Sequence, residues 1–184
     1  MTEMQDDITM SKNALEMLLV ANEFCFFMDA LEEKSKASIL EFVHRILPLM
    51  YTKGSLIPDV TVEYPEANMR FVTEEQWEGV FNILREKFSG DDEFWIIDPQ
   101  YINETEPLKA SLSENLSDVY QDMKDFILLY QKNTTAARQN AISDCKTLFA
   151  SHWGYRIGNI MARLHHLIYS GMSQPEKQED ISLF

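Results

Sequence analysis

The residues best equipped for chemistry fall into two stripes. His152, Arg156, Asn159 and Arg163 recur at i, i+4, i+7 and i+11, and Asp118, Asp122 and Asp125 at i, i+4 and i+7. At about 100° per residue, each set lies along one edge of a helix. Guanidinium groups beside an imidazole can clamp a small anion, and a histidine next to a carboxylate can move a proton. The first stripe is also out of character for the chain. The formal net charge is -14, yet residues 136–170 carry Arg138, Lys146, Arg156 and Arg163 against Asp144 alone. Something acidic should sit against them, either another helix or a ligand.

Two readings fit. In the structural one, the aspartate and arginine helices are antiparallel neighbours whose edges meet in ion pairs, because charged residues at a buried boundary occur as pairs. In the functional one, Arg156 and Arg163 clamp an anion while His152 works with Asp29 or Asp122. Asp29 enters because Asn22, Cys25 and Asp29 share one side of the first apolar segment, where Asn22 and Asp29 need partners if buried. No nucleophile, metal set or glycine loop accompanies this cluster, so no cofactor is expected.

The elements that must hold these residues are helical. A first helix is predicted over residues 12–33, apolar nearly all round and so expected in the middle of a bundle. A second, over 36–53, contains Pro48 and should kink there. Residues 54–72 break the pattern and read as a loop with at most a short extended piece. Thr73 to Gln76 form a capping box for a helix to Phe88, with Gly90 in the C-cap position, and Ser111 to Glu114 form a second box for the aspartate helix. Residues 91–110 read as an acidic connector with a turn or short helix near Phe94. The last apolar-periodic segment runs from Ala136 to Ser170. The class is all-α: an irregular antiparallel bundle of about five main helices with a long irregular connector, one domain over residues 12–170, and loose ends at 1–11 and 171–184.

Other signals are weaker. Glu41 and His44 make one Glu-x-x-His, whereas a di-iron bundle needs two, and both fall on the predicted solvent side. His165 and His166 point about 100° apart, which suits two faces rather than one ion. No metal site is expected. Ala150, Gly154, Gly158 and Ala162 recur every four residues, a spacing that admits a close backbone, from within the molecule or from a second copy.

Composition bounds the function. Thirty acidic against sixteen basic residues, with no basic run, disfavour nucleic acid and anionic membranes. The apolar stretch from Ala14 to Leu31 is interrupted by Glu16, Asn22, Glu23 and Asp29, so no membrane span is expected. Cys25 and Cys145 lie in apolar surroundings and read as free buried thiols of a cytoplasmic protein.

The run from Ala110 to Phe126, the segment Ser151-His-Trp-Gly154, Arg163-Leu-His165, Phe24-Cys-Phe-Phe27 and Leu47-Pro-Leu-Met-Tyr51 together resemble an uncharacterised bacterial family, domain of unknown function 5063. The resemblance implies an all-helical soluble domain and carries over no activity, substrate or catalytic residue. Function is therefore open between a non-catalytic helical module that associates with a protein partner or with itself, and a small-anion-binding domain or enzyme built on the His/Arg/Asp cluster.

Overall fold

The computed structural model describes residues 7–97 and 106–170. Six α-helices run through them: α1 (Lys12–Met28), α2 (Lys36–Gly54), α3 (Glu74–Phe88), α4 (Leu112–Tyr130), α5 (Thr135–Ser151) and α6 (Trp153–Tyr169). Five begin at a Ser or Thr whose hydroxyl accepts a free first-turn amide: Ser11, Ser35, Thr73, Ser111 and Thr134. The Thr73–Gln76 box is reciprocal as expected. At the other end of α3 the cap is Ser89, not Gly90, and Ser89 takes the left-handed φ of 50°.

The bundle is arranged around α4, which packs against α1, α3, α5 and α6. Fifteen of its nineteen residues are buried, including Leu112, Leu116, Val119 and Met123. That corrects the expected position of the first helix. α1 buries one face through Met17, Phe24 and Met28 and turns Leu15, Leu19 and Phe26 outward. It also stops at Met28, with a separate 3-10 turn over Leu31–Glu33. α2 runs through Pro48, whose side chain is exposed.

The segment 136–170 is two helices, not one. The backbone breaks at His152 (φ -141°, ψ -86°). Gly154 makes the close turn possible, because a Cβ there would lie 2.3 Å from the Phe149 carbonyl oxygen. Trp153 drops into the core from this break, fully buried, with its Nε1 donating to the Cys145 carbonyl at 3.0 Å. Gly54 leaves room for that ring: a Cβ at residue 54 would sit 2.3 Å from it.

The connector contains a two-stranded antiparallel sheet, β1 (Glu93–Ile96) and β2 (Leu108–Ser111), with Phe94 opposite Ala110 and Trp95 opposite Lys109. A turn or short helix was expected at Phe94; the strand forms because the chain returns to pair with it just before α4. Residues 55–72 form the loop expected over 54–72, with Gly54 closing α2 and one 3-10 turn at Pro65–Ala67. At the amino end, Asp7–Ser11 are ordered rather than loose: Thr9 is buried, its carbonyl accepts from Tyr130 at 2.9 Å, and Arg138 reaches both Thr9 and Asp7. Residues 1–6 and 171–184 lie outside the described residues.

Candidate functional site

α4 and α6 bring the two predicted stripes together over part of their length. His152 Nδ1 lies 2.6 Å from Asp122 Oδ2, and its Nε2 lies 3.7 Å from Asp118 Oδ2. Arg156 Nη2 lies 2.8 Å from the same Asp118 oxygen, with Glu114 at 3.9 Å. Both aspartates are buried. Hydrogen bonding to Asp118 and Asp122 raises the His152 pKa from 6.5 to about 9 against the opposing effect of burial, so the ring is a cation at neutral pH.

Two donors outside the stripes complete the seal. Trp77 on α3 donates its Nε1 to Asp118 Oδ1 at 3.0 Å. Arg70, from the loop before α3, lies 3.6 Å from Asp122 Oδ1 and 3.3 Å from Asp125 Oδ2, and its other terminal nitrogen lies 3.8 Å from Asp144. Asp125 Oδ1 accepts the backbone amides of Phe71 (2.7 Å) and Val72 (2.9 Å). The three carboxylates therefore face His152, Arg156, Arg70, an indole and two amides, and the gap beside Arg70 encloses only about 10 Å³. Arg70 and Trp77 went unassigned at the sequence level; the one available signal is that Arg70 is the only basic residue between Lys53 and Arg85.

Three predicted members are elsewhere. Asp29 is exposed at the end of α1, accepting from Tyr120 Oη at 2.7 Å and pairing with Lys124 at 2.6 Å. Arg163 donates to the Asp91 carbonyl at 3.0 Å and lies 3.3 Å from its carboxylate, which Lys36 also holds, so the Asp91 pKa is lowered chiefly by the Lys36 hydrogen bond. Asn159 lines an outer groove of about 630 Å³ with Tyr51, Trp95, Phe149 and Tyr155. The Ala150–Ala162 small-residue stripe faces that same groove, and a Cβ at Gly158 would touch nothing.

The remaining polar candidates carry no assembled chemistry. Asn22 is half-buried and donates to the Leu18 carbonyl of its own helix at 2.8 Å. His44 does not face solvent as expected but stacks near His165 and Tyr169 at the α2–α6 contact. Burial raises the pKa of both Cys25 and Cys145, which keeps them as thiols. Among the described residues no three His, Cys, Asp or Glu groups are placed to share a metal ion, and no helix is long and apolar enough to cross a membrane.

The pattern that matches this chain over residues 8–170 is the one described as Domain of unknown function (DUF5063). The chain belongs to that family. A solved member of the same fold, protein BF1032 from Bacteroides fragilis, is 29% identical with a TM-score of 0.79, over 91% of this chain and 99% of that one. No curated protein matches. The DUF5063 resemblance thus carries an architecture and no activity.

Proposed function

We propose that this DUF5063 chain is a non-catalytic, cytoplasmic helical module that acts by association with a protein partner or a second copy, and that its central polar cluster determines the fold. One observation carries this reading: Asp118, Asp122 and Asp125 are each closed by cations and donors of the chain itself, and Arg156, though partly exposed, has its Nη2 on Asp118. Apolar side chains, by contrast, are turned outward on α1 and on β1. The acidic surface disfavours nucleic acid, and two buried free thiols suit a reducing compartment.

Replacing Arg156 with Met tests the cluster's role. Asp118 keeps Trp77 and His152, and Arg156 is partly exposed, so the expected loss is about 1–2 kcal/mol in urea unfolding, smaller than for a fully buried pair. Inorganic phosphate or citrate should leave the wild-type melting temperature unchanged. A wild type stabilised by stoichiometric anion, together with an Arg156→Met protein as stable as wild type, would overturn the reading in favour of a ligand clamp.

A further inference from the structure

We infer that the segment following α6 folds back into the groove between β1 and α6, where residues 181–184 add a third strand to the free edge of β1. The inference goes beyond the association reading, because it closes from within the chain one of the two surfaces on which apolar side chains are turned outward. On that surface Trp95 is 69% exposed and Ile97 76%.

The backbone sets the chemistry of the groove. Just before the ribbon, Leu112 N–H donates to the Asp92 carbonyl at 2.9 Å. Alternation from that pair, in the register that sets Glu93 opposite Ser111, turns the N–H and C=O of Phe94 and Ile96 toward β2 and those of Trp95 away from it. Successive strand side chains point to opposite faces, so a groove that touches Trp95, Ile96 and Ile97 alike, and no residue of β2, runs along the free edge. Its far wall is the small-residue face of α6, formed by Gly154, Gly158 and Ala162. An unpaired strand edge beside a smooth wall receives an extended segment through main-chain hydrogen bonds.

The space admits a single strand and not another sheet. A second copy that paired its β1 here would bring its own β2 to the position of α6, so the occupant must have both edges free. None of the residues lining the groove is charged. In the segment after α6, the charges Glu176, Lys177, Glu179 and Asp180 all precede Ile181, Ser182, Leu183 and Phe184, which are uncharged and begin with an apolar–polar–apolar alternation. Reach fits as well. The near end of the groove, at Ala162, lies about 12 Å back along α6 from Ser170. Residues 171–180 form a polar linker whose average span is about 17 Å, which presents the strand at an effective concentration on the order of millimolar. Direction follows from Arg163, which holds the Asp91 carbonyl just before β1. β1 therefore starts beside the later part of α6 and runs toward Tyr155 and Phe149, and a chain that doubles back from Ser170 runs the same way and adds in parallel.

Amide hydrogen exchange of the full chain, resolved by residue with NMR, tests this. The wild-type Trp95 amide should be protected although β2 leaves it unbonded. Leu183→Asp should speed its exchange roughly tenfold or more, while the Phe94 and Ile96 amides, held by β2, change little. Gly158→Phe should have the same effect with residues 171–184 intact, because it fills the groove from a position where a Cβ meets nothing. A wild-type Trp95 amide that exchanges at open-chain rates overturns the inference, and so does protection that Leu183→Asp leaves in place. Protection that grows with protein concentration overturns it too, since the segment then sits in the groove of a second copy. The Arg156→Met outcome is independent of all of these.

Discussion

His152 makes stability depend on pH in a window where few other groups titrate. The ring sits between Asp122 at 2.6 Å and Asp118 at 3.7 Å, and its folded pKa is about 9 against an ordinary 6.5. A raised pKa means the folded state holds the proton more tightly. The contribution is therefore complete below about pH 6.5 and is lost as pH rises through 9. At about 1.36 kcal/mol per tenfold change, the ceiling is ~3.4 kcal/mol. The histidine side chain is 34% exposed, so screening by solvent reduces the expected loss to about 1–2 kcal/mol between pH 6 and roughly pH 9. Urea unfolding at closely spaced pH values measures this directly. The matched variant is His152→Gln, which keeps a donor but cannot titrate. Wild type should lose stability across the window while the variant stays nearly level, and the imidazole resonances of wild type should titrate near the upper end. Parallel slopes in the two proteins, or a His152 that titrates near 6.5, would refute the imidazolium held between Asp118 and Asp122.

Three substitutions separate close packing from open space and test the loop seal. Gly54→Ala pushes a methyl into the buried Trp153 ring and the partly buried Phe149 ring and should cost about 1–3 kcal/mol in thermal unfolding. Gly158→Ala meets nothing and sits on an exposed helix face, so it should raise stability by up to about 1 kcal/mol. Asp125→Ala strips the acceptor from Phe71 and Val72 and a partner from Arg70, and should cost about 2–3 kcal/mol, with faster amide exchange confined first to the loop before α3.

Local signals read well because they are written in adjacent residues. The capping residues Thr73 and Ser111 marked helix starts, and the aspartate spacing put Asp118 and Asp122 on the edge that meets His152 and Arg156. Long-range pairings were harder to read. β1 is four residues long and acquires a partner only after the chain has gone out and come back, so its alternation is too short to stand alone. The break at His152 was hidden because apolar residues continue at helical intervals on both sides of it, and only Trp153 and Gly154 mark the turn. Arg70 lies in a stretch without periodicity, where no stripe can be drawn. Arg163 and Asp29 were grouped with the cluster by face alone; a helical wheel records direction around an axis but not distance along it, and Arg163 lies about two turns beyond Arg156 while Asp29 caps the end of α1.

The position of α4 has a consequence for how the molecule is made. Synthesis delivers α1, α2 and α3 before the helix on which α1 and α3 pack, and α5 and α6 after it. Until Leu112–Tyr130 has emerged, Met17, Phe24 and Met28 on α1 and Leu84 and Phe88 on α3 lack their common counterpart. The ribosome-bound chain therefore holds half of its α-helices without the element on which α1 and α3 pack, exposed to mispairing and to chaperones. The commitment to fold comes when a single late helix arrives, and any codon or variant that delays it lengthens the most vulnerable interval in the life of the protein.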